Sequence, residues 1–209
     1  MIVKTFTVGY LSTNCYLVYN EGSNFAILID CAGKGYKKIS AFCEENNLKI
    51  NAVLLTHGHF DHIGDALKWQ QDGAKIYVHE GDSDKLYTDG NLGFQIGLIV
   101  PETHADIILH GNESLEINGL NIKVIHTPGH SKGSTTFVIE NCMFAGDTLF
   151  EESFGRTDFY DGSLLQLANS IKKLFDLNGD YIVYPGHGEH TTLNHEREVN
   201  PILNYLWRD

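Results

Sequence analysis

A layered α/β domain is the fold class this sequence predicts, and three observations predict it. Short apolar runs rich in β-branched and aromatic residues recur along the chain. Amphipathic stretches of helical period lie between some of them. No linker, low-complexity tract or charge block interrupts the 209 residues, so the elements are read as one domain, 1–209, around a core of its own.

The early strand candidates are Ile2 to Val8, Cys15 to Tyr19, Phe25 to Ile29 and Val53 to Leu55. The later ones are Ile76 to Val78, Ile107 to Leu109, Ile122 to Ile125, Thr135 to Ile139, Met143 to Ala145 and Tyr181 to Tyr184. A helix over Gly35 to Leu48 would place Ile39, Phe42 and Cys43 on one face. Ser163 to Leu177 carries the clearer stripe: Leu164, Leu167, Ala168, Ile171, Leu174 and Phe175 follow the i, i+3, i+4, i+7 spacing. Asn200-Pro201 reads as an N-cap followed by proline in the first turn, with Ile202, Leu203 and Leu206 turned inward. The stretch from Gly81 to Thr103, with Gly90, Gly93, Gly97 and Pro101, reads as a loop-rich cover. Connection of layers is its expected role, ahead of shaping a pocket.

Composition narrows the function classes. An apolar fraction of 42% is ordinary for a globular protein. A net charge of -12 argues against a phosphate backbone as partner, because that needs clustered Lys and Arg. No apolar run reaches the ~20 residues of a membrane helix, and the N-terminus alternates like a strand, with no signal-peptide pattern. Cys15, Cys31, Cys43 and Cys142 sit in apolar surroundings without a CxxC pair. They read as buried free thiols of a reducing compartment. The expectation is a cytoplasmic protein with a small-molecule substrate, no nucleic acid and no membrane.

Chemistry concentrates at strand ends. Thr56-His57-Gly58-His59-Phe60-Asp61-His62 directly follows Val53-Leu54-Leu55. Three imidazoles and a carboxylate within six residues suit a borderline divalent ion such as zinc. Gly58 permits the tight backbone path that converging ligands need. On an extended or turning segment His57 and His59 share a side, and Asp61 and His62 reach a neighbouring ion. Two further stations follow strands: Thr127-Pro128-Gly129-His130 and Tyr184-Pro185-Gly186-His187. Each alone would be an ordinary turn, but open α/β sheets gather their sites at such ends. Asp147 closes the apolar run Phe144-Ala145-Gly146. Elsewhere that position would be a helix cap; here it is the candidate bridge.

The donors divide between two ions. His57, His59 and His130 supply the first, Asp61, His62 and His187 the second, and Asp147 is shared. Each ion then keeps a place for water, as a catalytic site requires. Zinc is the first expectation, and iron or manganese also suits N/O donors. The remaining histidines, His79, His104, His110, His126, His190 and His195, read as surface or supporting residues; His126 precedes the second station, and His190 and His195 flank the third.

The order HxHxDH, His, Asp, His resembles the metallo-β-lactamase superfamily over Val53 to His187. The resemblance implies a four-layer αβ/βα sandwich with metals at one edge between two sheets. Within the superfamily the chain is most similar to short bacterial glyoxalase II-like hydrolases. That likeness rests on Thr127-Pro128-Gly129-His130-Ser131, Gly146-Asp147-Thr148-Leu149-Phe150, Gly155-Arg156-Thr157-Asp158, Tyr184-Pro185-Gly186-His187-Gly188 and Asn194-His195-Glu196-Arg197 with Asn200-Pro201. Asp147 stands where true β-lactamases typically carry Cys, which sets the chain apart from them. Longer glyoxalase II enzymes add a C-terminal helical domain that holds glutathione; this chain ends at Asp209, so that domain is expected to be missing. Arg156 stands where those enzymes carry a Lys, Asp158 and Glu189 where they carry Tyr. Arg156 is the candidate substrate-binding residue, able to hold a carboxylate in a bidentate fork, against a structural salt bridge within the Arg-Thr-Asp turn.

The implied chemistry is thioester hydrolysis. Two ions about 3.5–4 Å apart would hold a bridging water and lower its pKa toward ~7, and the hydroxide would attack the carbonyl. Asp61 and Asp147 are the catalytic candidates, Asp61 orienting the hydroxide while ligating. The rivals are a single-iron persulfide (sulfur) dioxygenase using His57, His130 and Asp147, a nuclease of the same superfamily, which the net charge opposes, and a metal-binding module without turnover. Metal content with oxygen uptake separates the first. Metal-competent site variants with no activity to lose would mark the last.

Overall fold

The computed structural model describes residues 1–206. Two six-stranded sheets pack face to face. The first runs β1 (Ile2–Val8), β2 (Thr13–Tyr19), β3 (Phe25–Ile29), β4 (Lys49–Leu54), β5 (Lys75–His79) and β6 (Ile107–Leu109) in sequence order. The second comprises β7 (Ser114–Ile117), β8 (Leu120–His126), β9 (Thr135–Ile139) and β10 (Cys142–Gly146). A small hairpin follows, β11 (Leu149–Phe150) and β12 (Ser153–Phe154). Then β13 (Ile182–Pro185) and β14 (Thr191–Thr192) complete the second sheet in the order β14-β13-β10-β9-β8-β7.

Helices cover the outer faces: α1 (Tyr36–Glu45), α2 (Phe60–Ile63) and α3 (Ala66–Gln71) accompany the first sheet. α4 (Leu164–Phe175), α5 (Leu193–Val199) and α6 (Leu203–Leu206) accompany the second. The four-layer αβ/βα sandwich follows directly from the side-chain alternation of the strands. In β2, Tyr16 and Val18 face the second sheet, while Cys15 and Leu17 face the helices. In β4, Ala52 and Leu54 face in and Val53 faces out. Both faces are covered, so these strands read as unbroken apolar runs. Phe137, Phe144, Ile122 and Val124 fill the inter-sheet layer from the other side. The α4 stripe packs Leu167, Ala168, Ile171 and Leu174 onto Met143, Ala145 and Val183. Ser163 caps α4 by accepting from the Gln166 amide, 3.3 Å away.

The C-terminal turn forms as its sequence predicts, since the Asn200 side chain accepts from the Ile202 amide at 3.0 Å. Ile202 is buried, whereas Leu203 and Leu206 are half-buried. Among the described residues no helix is long and apolar enough to cross a membrane. All four cysteines are free and buried. Burial pushes the Cys15 and Cys31 thiols well above their ordinary value and Cys43 up to about 11. A disulfide-exchange reagent such as Ellman's should therefore titrate no thiol in the native protein and four after unfolding. A fast native reaction would show that one of them is accessible.

Candidate metal centre

Five strand ends meet at one edge of the sandwich. The parallel pair β3/β4 brings Asp30, at the end of β3, beside Thr56 after β4. The parallel pair β10/β13 does the same for Asp147 and His187, with Phe144 opposite Tyr184 and Gly146 opposite Pro185. His59 precedes one turn of helix, α2, which carries Asp61 and His62. The second half of the HxHxDH motif is therefore helical rather than extended. His130 arrives on the Pro-Gly loop after β8. Gly186 has a specific reason to be glycine: a Cβ there would lie 2.1 Å from Asp147 Oδ1 and 2.7 Å from His62. Gly58 is required by packing, because its Cβ would lie 2.7 Å from that of Lys85.

All seven sequence candidates for ligation come together here. Their donor atoms form three groups, each within 4.8 Å: His57, His59 and His130; Asp61, His62 and His187; and His57, His62 and Asp147. The first two are the expected pair of sets, and Asp147 spans them: its carboxylate lies 3.3 Å from His62 and 3.5 Å from His130. His59 Nδ1 and His130 Nε2 are 2.9 Å apart. His187 Nε2 lies 3.2 Å from Asp61.

The outer nitrogens are committed elsewhere. His62 Nδ1 donates to Asp30 at 2.8 Å, His130 Nδ1 to the Arg156 carbonyl at 2.9 Å and His187 Nδ1 to the Leu11 carbonyl at 3.1 Å. Thr56 Oγ1 donates to Asp30, 2.8 Å, so it accepts from His57 Nδ1, 3.1 Å. Four imidazoles thus turn their Nε2 inward as lone pairs, the arrangement that outer hydrogen bonds impose on metal-binding histidines. His57 Nε2, His62 Nε2 and Asp147 Oδ1 are buried without a hydrogen-bond partner in the protein. Buried orphan acceptors are costly, and a divalent cation would satisfy all three.

Electrostatics divides the site along the same line. Burial, reinforced by neighbouring imidazoles and Lys85, holds His57 and His59 well below the usual histidine value. Burial opposes the charge of His62 as well, but Asp61, Asp30 and Asp147 carry it well above that value. Burial opposes the charge of Asp147, which keeps a small exposure to the cleft, yet His62, His130 and His187 hold its carboxyl far below the carboxylate range. The three-histidine side is cation-seeking but uncharged; the other side is rich in carboxylate.

Two supporting groups escaped the sequence reading. Asp30 carries no mark in the sequence beyond following an apolar strand; it orients His62 and Thr56. Asp82, fully buried, accepts from the amides of Gly58 (2.8 Å) and Gly133 (2.7 Å) and from Ser131 Oγ (2.7 Å). It thereby ties the His57–His59 loop to the loop after His130. Lys85, also buried, sits 3.2 Å from Asp82 and 2.7 Å from Asp161. Asp82 and Lys85 stand three residues apart in a stretch without apolar periodicity, and the groups they tie, at Gly58, Ser131, Gly133 and Asp161, are distant in the chain. His126, read from sequence as surface or supporting, stacks on His79 at 3.9 Å and meets the Lys132 carbonyl.

A cleft of about 590 Å³ opens on the donors. Arg156 lines it, but its fork is filled: Nε and Nη2 each donate to Asp158 at 2.7 Å, and the guanidinium lies over Phe159. That pairing holds the Asp158 carboxyl down to about 2. The segment from Gly81 to Thr103, expected to connect layers, supplies a wall of the cleft through Leu92, Gln95 and Ile96. Turns without apolar periodicity carry no sequence sign of such a role.

Residues 8–187 match the Metallo-beta-lactamase superfamily family. The chain is 34% identical to hydroxyacylglutathione hydrolase GloC of Haemophilus influenzae, covering 98% of this chain and 99% of that protein. Among solved structures it is similar to BLEG-1 B3 metallo-beta-lactamase, 34% identical, TM-score 0.89, covering 99% of this chain and 100% of that one. ETHE1 from Myxococcus xanthus is 26% identical, TM-score 0.79, over 96% and 84%. The chain is thus similar both to a protein described as a β-lactamase and to one described as a hydroxyacylglutathione hydrolase. The fold and the His/Asp clusters point to divalent-metal binding, and the relatives support hydrolase chemistry. With two parallel strand pairs and the loop after β8 delivering this donor set to one edge of an αβ/βα sandwich, and with the match spanning most of its length, the chain belongs to the metallo-beta-lactamase superfamily.

Proposed function

We propose that the chain is a binuclear hydrolase cleaving thioesters of the hydroxyacylglutathione type, with zinc the first candidate metal. The observation that carries this reading is the pairing of donors into His57-His59-His130 and Asp61-His62-His187 around a shared Asp147. Divalent ions held there supply Lewis acidity and a water acidified toward ~7. The protein's own contribution is preorganisation. Asp30, Thr56, Leu11 and the Arg156 carbonyl fix the imidazoles, so the site need not reorganise as charge develops. Asp61, held by Thr13 Oγ1 at 3.2 Å and by His187, faces the cleft and is placed to orient the attacking water. Hydrolysis breaks the acyl C–S bond, forms a C–O bond from water, and yields a carboxylate, a thiol and a proton. A reducing, cytoplasmic setting suits the four buried thiols.

The test is metal content per chain on purified protein, followed by hydrolysis of S-lactoylglutathione, acyl-CoA esters and a chromogenic β-lactam. About two equivalents of metal with thioester turnover is the expected result. Turnover of the β-lactam alone would replace the substrate class. The likeness to ETHE1 favours one second reading, the single-iron persulfide dioxygenase. One iron per chain with oxygen uptake on a persulfide, and no thioester cleavage, would establish it. Full metal loading with no turnover of any kind would leave a metal-binding module.

A further inference from the structure

The cleft walls differ in chemistry from its floor. Around the donors stand Leu11, Leu92, Ile96, Phe150, Phe154 and Phe159, and no lysine is among the lining residues. The one guanidinium in the lining, Arg156, is occupied on two nitrogens by Asp158. The carboxylates at the floor, Asp61 and Asp147, belong to the metal donor set. Outside the metal centre, the described lining therefore offers substrate charge one paired guanidinium, whereas it offers an apolar chain six large apolar side chains.

The walls are also built rather than incidental. Leu92 is buried with φ +70, a left-handed conformation that a non-glycine residue keeps only when its surroundings impose it. Asn91 imposes it: its amide donates to the Lys85 and Thr88 carbonyls, and its oxygen accepts from the Gly93 amide at 2.9 Å. Leu11 and Ile96 then stand at the mouth with 51% and 55% of their surface exposed. Large apolar side chains left in water beside a polar reaction centre are the signature of a ligand groove.

Resting on the thioester reading, we infer that this cleft selects thioesters whose acyl group is an apolar chain or ring larger than lactoyl. The acyl chain lies along the Leu92–Ile96 wall and the aromatic residues, with its carbonyl over the metal centre. Any charged part of the thiol carrier stays outside, at the rim.

The experiment uses the metal-loaded protein and a neutral carrier. Acetyl, lactoyl, butanoyl, hexanoyl and phenylacetyl thioesters of N-acetylcysteamine are compared by kcat/KM. In parallel, non-hydrolysable ketone analogues, with CH2 in place of sulfur, are titrated calorimetrically. Each methylene buried should contribute up to about fourfold, so hexanoyl should exceed acetyl at least tenfold, and analogue affinity should climb in the same order. Ile96→Asn and Leu11→Asn, both at exposed positions that tolerate polar groups, should lower the hexanoyl-to-acetyl ratio. A flat profile, or a preference for lactoyl, overturns the inference while thioester hydrolysis stands. Chain-dependent analogue binding without hydrolysis of any thioester overturns the thioester reading and leaves an apolar cleft. Absence of both turnover and analogue binding removes the two together.

Discussion

His59→Ala is expected to lose hydrolysis by ~10³-fold or more while the protein stays folded. The metal centre supplies several kcal/mol of transition-state stabilisation, and about 4 kcal/mol corresponds to that factor. His59 shares its inward nitrogen with the His57-His130 set and makes no hydrogen bond that holds the fold. Removing it should empty or loosen one position while Asp61, His62 and His187 keep theirs. The measurements are kcat/KM on S-lactoylglutathione, metal equivalents per chain, and thermal unfolding of the metal-free proteins. The expected outcome is lost turnover and lowered metal content with an unfolding temperature within a few degrees of the parent. Unchanged turnover would take His59 out of the site.

Asp82→Ala should be the costliest single change in stability away from the donors. The variant strips partners from two buried amides and the Ser131 hydroxyl, and leaves Lys85 with Asp161 as its remaining counter-ion. Breaking a buried pair by removing one partner costs about 3–5 kcal/mol. Because both tied loops carry donors, metal affinity should fall with stability, by ~10- to 100-fold as for other outer-layer contacts. Denaturant unfolding and chelator competition read the two effects. The double variant Asp82→Ala with Lys85→Met should regain part of the stability, since it no longer buries a poorly paired ammonium. If the single variant unfolds at the parent's denaturant midpoint, the clamp has no mechanical role.

The candidate site was legible because its chemistry is local in sequence. Residues 57–62 pack four candidate donors into one motif, and the Pro-Gly-His stations at 130 and 187 repeat a strand-then-loop pattern. The strands of the first sheet were legible for a related reason. Burial on both faces leaves β3 an unbroken apolar run, the edge strand β1 alternates with Phe6 turned inward, and β1, β3 and β6 start and end where the sequence places them. Elements held by polar contacts left no such trace. Helix α5 has no apolar stripe, and its buried anchor is Glu196, which accepts from the Glu152 amide, Thr191 Oγ1 and Asn200 Nδ2. β7 and the β11/β12 hairpin are short and partly exposed, so their periodicity is too brief to register.

The sequence alone determined the layered fold class, the buried stripe of α4 and the seven residues whose side chains converge. Periodicity and donor type are written residue by residue, and neither needs a partner to be read. Tertiary structure alone decided that Asp30 and Asp82 brace the donors, that Asp158 occupies Arg156, and that the 81–103 segment walls the cleft. These depend on which distant backbone amides and side chains meet once two sheets stack. Such meetings are fixed by packing and hydrogen-bond satisfaction across the fold, and not by the order of neighbours along the chain.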